Sequence, residues 1–378
     1  MKEKQLLIKV NSIFKPKFGK DKYVSGIGRS TYQLLKSLSG IKDIPFDIKL
    51  YGSGINSFSF NARNLPCQYN WFCLPQKFGT ELTSLESEYI LRCRKFDLLH
   101  IPHNYDGVLQ KNMPFVVTIH DTCEYDFILP QNESDIRRQY WKFAAQASLG
   151  IVTCSICSKK DIIDRFKVPE EKVTVIPWGI STDLFCLRNE TEVNLVLKKY
   201  GLFEPYFLAV SCSNIRKNVP NLLRAYKKYL QLGNTANLVL LWGAPPQSIL
   251  DEYSKEILSG KIRFLDYVSD TDLVDLYNGA LGTMFPSRYE GFGFPILESF
   301  ACGTPVMTCR NSSLQEVGGD LAVYVGEDNT DEMTQVMEMF SSGKYDTCAF
   351  KLKSTQYVSK FQWSEVARRY VEFYSSYI

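Results

Sequence analysis

Short apolar segments alternate with amphipathic segments of helical period along most of the chain. Apolar runs such as Gln5–Val10, Phe115–Ile119 and Tyr206–Ser211 have the length and composition of buried strands. Between such runs, apolar residues recur every three or four positions, which is typical of helices that pack on a sheet. Strands that alternate with helices predict doubly wound parallel sheets, so we expect an α/β fold class.

The same pattern locates further elements and divides the chain. It predicts strands at Asp47–Tyr51, Asp97–Ile101, Gly150–Cys154, Val173–Ile176, Leu238–Trp242, Ile262–Leu265 and Pro305–Cys309, and a helix around Ser134–Ser148. The strand series breaks after Pro177 and starts again at Tyr206. We therefore expect a linker near Gly179–Asn189, a first domain at residues 1–184 and a second at residues 185–360. The segment Ser53–Thr83 shows no clear period and is predicted to be irregular.

Composition narrows the class of protein. The chain has 378 residues, of which 45% are hydrophobic and 22% charged, as expected for a folded protein of two domains. A net charge of only +3 gives no sign of a nucleic-acid binder. The sequence contains no run of about 18 apolar residues, so no transmembrane helix is predicted. The first residues lack the apolar core of a signal peptide, so we expect a cytoplasmic protein.

Cysteines and lysines add two smaller expectations. The 11 cysteines are scattered along the chain, and we expect them to be free thiols in a reducing compartment. The Cys154-x-x-Cys157 pair has no second pair beside it, so it does not indicate zinc. Seven lysines fall within the first 22 residues. This bias fits either a solvated loop or a peripheral attraction to anionic lipid at the inner face of the membrane.

The stretch from Phe285 to Cys309 carries the clearest chemical pattern. Gly291, Gly293 and Pro295 cannot continue the preceding strand, and Pro295 suits the first position of a helix. The free N–H groups at the start of a helix favour an anion such as a phosphate. The glycines let the backbone approach a ligand that a Cβ atom would exclude. The sequence therefore predicts an anion-binding loop at this strand–helix junction.

Two carboxylates lie in and just after this loop. Glu290 lies within it, and Glu298 lies about one helical turn after its end. A carboxylate can accept two hydrogen bonds from a vicinal diol, so two such residues suit a ligand that combines a sugar with a nucleotide. The alternative is that both are surface carboxylates beside a tight turn. The glycines and the proline between them favour the ligand-binding interpretation.

Two cations precede another predicted helix. Arg216 and Lys217 come just before an amphipathic segment that contains Leu222 and Leu223. Helix N-termini prefer anions, so cations at this position indicate an anionic ligand, with a solvated basic turn as the alternative. Further on, Asp270-x-Asp272 has the spacing of a metal site, but Asp270 precedes a helical pattern and is predicted to be its N-cap.

The N-terminal half offers a glycine loop and the histidines. Gly26 and Gly28 open a predicted helix and could face a phosphate, or could simply start that helix. The spacing from the first strand does not fit a dinucleotide fingerprint, so a dehydrogenase is poorly supported. His120 ends a buried strand, where open α/β sheets bind ligands, and is expected to donate a hydrogen bond there. His100 and His103 are expected to be a strand-end pair in a cleft rather than a metal site.

These motifs together resemble a known family. The order E-G-F-G-F-P-x-x-E, followed by A-C-G-T-P-V, is similar to the nucleotide-sugar signature of the retaining glycosyltransferases of family 4, the glycogen synthase-like and mannosyltransferase-type group. The segments G-I-G-R-S-T-Y, V-V-T-I-H-D-T, R-K-N and S-S-L-Q-E-V-G-G resemble other parts of that family. The resemblance implies the GT-B fold, in which two Rossmann-like domains face a cleft. It also implies that a C-terminal helix, here within residues 361–378, crosses back to the N-terminal domain.

The resemblance assigns roles to residues at the matching positions. It implies a donor-sugar contact for Glu290 and His120, a ribose contact for Glu298, and diphosphate contacts for Arg216 and Lys217. The remaining donor-binding positions that it implies are Gly26, Gly28, Ser287, Phe292, Gly293, Phe294 and Pro295. Many members carry a further arginine upstream of R-K-N, where this chain has Ser211-Cys212-Ser213. This departure places the charge on Arg216 and Lys217.

The implied activity is transfer of a hexose, with retention of configuration, from a nucleoside diphosphate sugar. The implied acceptor is a hydroxyl of a glycan or a lipid-linked precursor of a surface polysaccharide. The resemblance implies no cofactor and no metal, and we expect no nucleic-acid partner. Three alternatives stay open: a phosphorylase or epimerase on the same scaffold, a nucleotide-sugar-binding protein without catalysis, and a dehydrogenase.

Overall fold

The protein is known as a computed structural model that describes residues 4–10, 13, 26–53, 70–74, 96–103, 113–125 and 135–378. The chain divides into two compact units. Unit 1 comprises Met1–Gly179 and Phe361–Ile378, and unit 2 comprises Ile180–Lys360. The division falls close to the linker expected near Gly179–Asn189.

Unit 1 is built on a parallel sheet of seven strands. The strands are β1 (Gln5–Lys9), β2 (Asp47–Ser53), β3 (Asn70–Leu74), β4 (Leu98–Ile101), β5 (Phe115–Thr118), β6 (Gly150–Thr153) and β7 (Val173–Val175), in the order β3-β2-β1-β4-β5-β6-β7. The helices described between them are α1 (Gly26–Leu38), α2 (Ile136–Ala147) and α3 (Ile156–Phe166). The strand order runs outward in one direction from β1 to β3 and in the other direction from β4 to β7. The carboxyl ends of β1 and β4 therefore flank the topological switch point, where such sheets bind ligands.

Unit 2 repeats this architecture with six parallel strands. They are β8 (Tyr206–Ala209), β9 (Asn237–Leu241), β10 (Ile262–Leu265), β11 (Gly282–Phe285), β12 (Val306–Cys309) and β13 (Val323–Val325), in the order β10-β9-β8-β11-β12-β13. Its helices are α4 (Glu190–Lys199), α5 (Val219–Gln231), α6 (Gln247–Glu252), α7 (Ser254–Leu258), α8 (Asp270–Gly279), α9 (Phe294–Ala301), α10 (Leu314–Gly318), α11 (Thr330–Ser341) and α12 (Thr347–Val358). The two sheets confirm the predicted fold class.

The final helix, α13 (Trp363–Ser375), belongs to unit 1 although it follows unit 2 in the chain. Its buried face carries an apolar stripe that includes Val366, Tyr370 and Tyr374. The backbone of Gly179 packs closely against Trp363, the first residue of this helix. A Cβ atom at Gly179 would lie 2.6 Å from the backbone nitrogen of Trp363, so only glycine fits there.

Three local predictions are corrected. The segment Ser53–Thr83 was expected to be irregular, but it contains β3, which pairs with β2 at the edge of the sheet. The rest of that segment, from residue 54 on, lies outside the described residues apart from β3. The N-cap of α8 is Ser269, whose hydroxyl accepts from the backbone nitrogen of Asp272, and Asp270 is the first helical residue. Helix α9 begins at Phe294, which makes Pro295 its second residue.

The described helices include none that is both long enough and apolar enough to span a bilayer. The cysteines whose side chains are described carry free thiols: Cys123, Cys154, Cys157, Cys186, Cys212, Cys302, Cys309 and Cys348. The lysine-rich segment before Gly26 lies outside the described residues, apart from residues 4–10 and 13.

Candidate functional site

The glycine loop between β11 and α9 is held in one conformation by its neighbours. Gly293 has a φ of +103°, and a Cβ atom there would lie 3.1 Å from Leu314, so the position requires glycine. The buried Ser313 hydroxyl donates to the carbonyl oxygens of Glu290, at 2.8 Å, and Phe292, at 2.9 Å. The loop thus presents a fixed backbone at the start of α9.

Glu290 lies at the centre of a buried charge cluster in unit 2. Lys217 donates from Nζ to its Oε1 atom at 2.6 Å, and Arg216 donates from a terminal nitrogen to Oε2 at 2.8 Å. Only 6% of Glu290 is exposed. Burial alone raises the pKa of this carboxyl, but the charges of Lys217 and Arg216, helped by the Ser287 hydroxyl, hold it below its ordinary value. Glu290 is therefore ionised, and the cluster keeps one net positive charge.

The two cations, Arg216 and Lys217, lie in a short turn after β8. Ile215–Lys217 forms a single 3-10 turn, capped by the Asn214 side chain, which accepts from the backbone nitrogen of Arg216. Lys217 is buried, with its Nζ atom 4.7 Å from the centre of the Phe285 ring. The sequence predicts an anionic ligand for these cations. In the structure their anion is the Glu290 carboxylate, which comes from a distant part of the chain.

Asn218, the third residue of the R-K-N segment, binds protein rather than facing outward. Its backbone is left-handed, with a φ of +59°, and its amide donates to the carbonyl oxygen of Glu327 at 2.6 Å. Arg288 donates to its side-chain oxygen at 3.3 Å and also pairs with Asp328. These contacts tie the turn that carries the cations to the loops before Glu290 and after β13.

Glu298 has a different partner. It lies in α9, where 7% of it is exposed, and its Oε2 atom accepts from the hydroxyl of Tyr277 in α8 at 2.9 Å. The structure therefore pairs Glu290 with two cations and gives Glu298 a phenol hydroxyl as a hydrogen-bond donor. The Asp270-x-Asp272 segment, which has the spacing of a metal site, lies in yet another setting. Asp272 accepts from Lys199 at 2.5 Å and from Tyr200 at 2.6 Å, so this carboxylate forms an ion pair between α4 and α8.

In unit 1, His120 follows β5 as predicted, but its hydrogen bonding differs from the expectation. Its Nε2 atom lies 2.9 Å from the carbonyl oxygen of Pro102. A carbonyl can only accept, so Nε2 carries the proton. Burial, aided by the charge of His103, lowers the pKa of His120 to about 3, so the ring is neutral. Its Nδ1 atom is buried without a partner among the described residues. His120 thus offers an acceptor, not the expected donor.

A small cavity adjoins His120. It lies wholly within unit 1 and combines aromatic rings with hydroxyl groups. The residues that line it with His120 are Ser30, Thr31, Leu34, Pro102, Thr118, Trp178, Trp363 and Tyr370. Gly26 and Gly28 form the first turn of α1, as predicted, and the hydroxyls of Ser30 and Thr31 donate to the carbonyl oxygen of Ile27.

His100 is a core residue and not part of a strand-end pair. It is fully buried in β4, with Nε2 2.8 Å from the Thr118 hydroxyl and Nδ1 2.8 Å from the Tyr374 hydroxyl. Burial lowers its pKa to about 3. This histidine joins two strands to α13. Within the described ranges, no group of three or more histidine, cysteine, aspartate or glutamate side chains is placed to hold a metal ion.

The structure brings Arg216, Lys217, Ser287 and Glu290 together at the loop that leads into α9. Tyr277 and Arg288 are the residues that sequence reasoning missed. Tyr277 lies at a buried position of α8, so its helical spacing predicts a core residue and gives no signal of its hydroxyl bond to Glu298. Arg288 lies two residues before Glu290, and only the three-dimensional contact with Asn218 reveals its use.

Comparison with known proteins agrees with this arrangement. Residues 24–184 match the model of the family described as Glycosyltransferase Family 4, and residues 198–343 match the model described as Glycosyl transferases group 1. The chain is 31% identical over 244 residues to O-antigen chain mannosyltransferase B of Escherichia coli, over 62% of this chain and 61% of that protein. It is 29% identical over 219 residues to O-antigen chain mannosyltransferase RfbU of Salmonella typhimurium, over 56% and 57% of the two chains.

The matched region thus spans less than two thirds of the length of either relative. Among solved structures, Anabaena Alr3699/HepE in complex with UDP-glucose has the same fold, with a TM-score of 0.74 at 15% identity, over 98% of this chain and 99% of that one. Two family models together cover most of the sequence, and the structure consists of two Rossmann-like units. The chain therefore belongs to the family 4 type of glycosyltransferases and has the GT-B fold.

Proposed function

We propose that this protein transfers a hexosyl group from a nucleoside diphosphate sugar to a hydroxyl of a glycan or lipid-linked acceptor, in the synthesis of a surface polysaccharide. The observation that carries the proposal is the cluster of Lys217, Arg216 and Glu290 beside the start of α9. The names of the two mannosyltransferase relatives favour mannose as the hexose.

The charge cluster suits the departure of a diphosphate. Negative charge develops on the leaving diphosphate, and cations fixed in place before the reaction stabilise it most effectively. Lys217 and Arg216 are held at 2.6 and 2.8 Å from Glu290, and the N–H groups of α9 begin a few residues further on. Because the cluster keeps a net positive charge, it can stabilise the diphosphate without a metal ion. We propose metal-independent transfer on this basis.

The proposed course of the reaction retains the configuration at the anomeric carbon. The bond from that carbon to the diphosphate oxygen breaks, and a bond to the acceptor oxygen forms on the same face. The acceptor proton passes to the departing phosphate. Glu290 is committed to two cations, so we give it the role of orienting the donor sugar rather than attacking it. His120 would accept a hydrogen bond from a sugar hydroxyl at Nδ1.

A second candidate is a nucleotide-sugar-binding protein without turnover. The observation that favours it is the segment Ser211–Ser213, which supplies no cation where many family members have an arginine. Cys212 in that segment is buried, and burial raises the pKa of its thiol to about 12, so it adds no charge. Turnover distinguishes the two candidates.

The test offers the purified protein GDP-mannose, UDP-glucose, UDP-galactose and ADP-glucose, with short mannose oligosaccharides and a polyprenyl-linked saccharide as acceptors. Release of nucleoside diphosphate only when an acceptor is present, unchanged by EDTA, would support the proposal. NMR of the product linkage would give the anomeric configuration. Binding of a donor with no release of diphosphate over all these acceptors would favour the second candidate.

A further inference from the structure

Three large apolar side chains lie exposed at one edge of the unit 2 sheet. Phe203 lies in the turn before β8, Leu232 lies in the turn before β9, and Leu258 is the last residue of α7, just before β10. Their exposed fractions are 78%, 63% and 89%. Single exposed apolar residues are ordinary in proteins, but three of them in neighbouring turns form a patch of the kind that marks a contact surface.

The three turns are neighbours in space because their strands are neighbours in the sheet. Strands β10, β9 and β8 lie side by side and run parallel, so their amino ends meet at the same edge. The backbone nitrogen of Asn237 donates to the carbonyl oxygen of Pro205 at 2.8 Å, and that of Leu238 donates to the carbonyl oxygen of Lys261 at 2.8 Å. Adjacent strands lie about 4.8 Å apart, so the turns follow one another closely along this edge. We call Phe203, Leu232 and Leu258 the apolar edge patch.

The surroundings of the apolar edge patch are positively charged. Residues 198–205, 231–236 and 255–263, which form the turns and their flanks, carry five cations (Lys198, Lys199, Lys255, Lys261 and Arg263) and two carboxylates (Glu204 and Glu256). The last turn of α11 reaches the same edge, where Glu338 accepts from the Asn234 amide at 3.1 Å, and Lys344 follows that helix. Lys199 pairs with Asp272 of α8. Cations remain in excess after these carboxylates are counted.

We propose that the apolar edge patch binds the surface of a lipid bilayer that carries anionic headgroups. Apolar side chains at the tips of turns can enter the boundary between headgroups and acyl chains, while the neighbouring lysines stay at the level of the headgroups and attract anionic lipid. A second copy of this chain would bring an excess of like charges together. Exposure as high as 89% describes side chains that protrude, and protruding side chains fit a fluid surface better than a rigid one.

The test is co-sedimentation of the whole chain with vesicles of phosphatidylcholine alone, or of equal parts of phosphatidylcholine and phosphatidylglycerol. We expect the wild type to bind the anionic vesicles about tenfold more tightly than the neutral ones. This preference should shrink as salt is raised, because salt screens the attraction to the headgroups. Replacing both Phe203 and Leu258 with serine should weaken binding to anionic vesicles by about tenfold or more, because each loses an apolar side chain that the bilayer buries. Thermal unfolding should stay as in the wild type, because both side chains are exposed.

Ile215→Ser is the matched control. Ile215 is 88% exposed, so the change removes a comparable side chain, but this residue follows β8 and lies at the opposite edge of the sheet. The control should bind vesicles as the wild type does. Unchanged binding of the double serine variant, or equal binding of the wild type to both kinds of vesicle, would overturn the proposal. Self-association of the wild type in light scattering, abolished by the same two serines, would also overturn it and assign the patch to a second copy. Sugar transfer to a water-soluble acceptor is measured without vesicles, so these outcomes leave the proposed function untouched.

Discussion

The Nζ atom of Lys217 lies 2.6 Å from Oε1 of Glu290, although 73 residues separate the two in the chain. Both side chains are largely buried, with 10% and 8% of their surfaces exposed. The pair joins the turn after β8 to the loop before α9. Removing either partner leaves a buried charge with less compensation, so changes here affect both activity and pKa.

Replacing Lys217 with alanine should lower turnover by about a thousandfold, the loss typical when a preorganised donor to developing negative charge is removed. The fold should persist, because Arg216 still pairs with Glu290. Steady-state kinetics and thermal unfolding measure both effects. Lys228→Ala is the matched control, since Lys228 lies 2.6 Å from Asp331 in the same unit but at an exposed position. Near-normal turnover in Lys217→Ala would contradict the proposed role.

His120 should respond differently to two amide replacements. In asparagine the amide lies near the position of Nδ1, and in glutamine it lies near that of Nε2. We expect His120→Asn to keep more activity than His120→Gln, because only asparagine offers an acceptor where Nδ1 was. His120→Gln would instead keep the bond to Pro102, which lies 2.9 Å from Nε2. Turnover of the two variants under donor saturation is the measurement, and the reverse order would contradict the assigned tautomer.

The buried histidines should make unit 1 lose stability as pH falls. His100 and His120 both have pKa values lowered to about 3, against an ordinary value of about 6.5. Above pH 6.5 neither state binds these protons. Between pH 6.5 and 3 the unfolded chain binds them and the folded chain does not, so unfolding becomes easier.

Each histidine should contribute a slope of about 1.4 kcal/mol per pH unit in that window. Replacing His100 with asparagine should reduce the slope by one such increment, whatever it does to absolute stability. Urea unfolding at pH 7, 6, 5 and 4, followed with a probe in unit 1, gives the slope. An unchanged slope in the variant would show that His100 is protonated in the folded state.

Gly179→Ala should destabilise the attachment of α13. The new methyl group would lie 2.6 Å from the Trp363 backbone nitrogen and 2.9 Å from its Cα atom, and backbone atoms cannot move aside cheaply. Overpacking of this kind typically costs about 1–3 kcal/mol. Gly40→Ala is the control, because its methyl group would make only an ordinary contact with Ser37. Chemical denaturation should separate the two variants, and equal midpoints would contradict the prediction.

The sequence predicts the sheets well because many of their strands, such as β5 and β8, are buried and apolar on both faces. Runs such as Phe115–Ile119 and Tyr206–Ser211 carry that signal locally, and the structure confirms strands within both. The edge strand Asn70–Leu74 contains a short apolar run, Trp71–Leu74, but the surrounding segment shows no period, and only the pairing with β2 identifies it as a strand. The cap of α8 shifts by one residue because Ser269 and Asp270 are both suitable N-caps.

The candidate site is predictable in its residues but not in its pairings. Motif spacing identifies Glu290, Lys217 and Arg216, yet nothing local indicates that they bind one another across 73 and 74 positions. The same limit applies to Tyr277, whose sequence position predicts only a buried ring. The protonation of His120 depends on the Pro102 carbonyl, 18 residues away. Charge and tautomer are set by contacts between distant segments, which periodicity does not encode.

The placement of α13 in unit 1 also sets an order of events during synthesis. Residues 180–360 are translated before this helix, and at roughly 5–20 residues per second they occupy the ribosome for about 10–40 seconds. Throughout that interval His100 lacks the Tyr374 hydroxyl, and Thr118 lacks that of Tyr370. During that time, the part of the unit 1 sheet that packs against α13 has no helix over it. The hydrogen bonds that join these two residues to α13 can therefore form only after residues 363–375 have been translated.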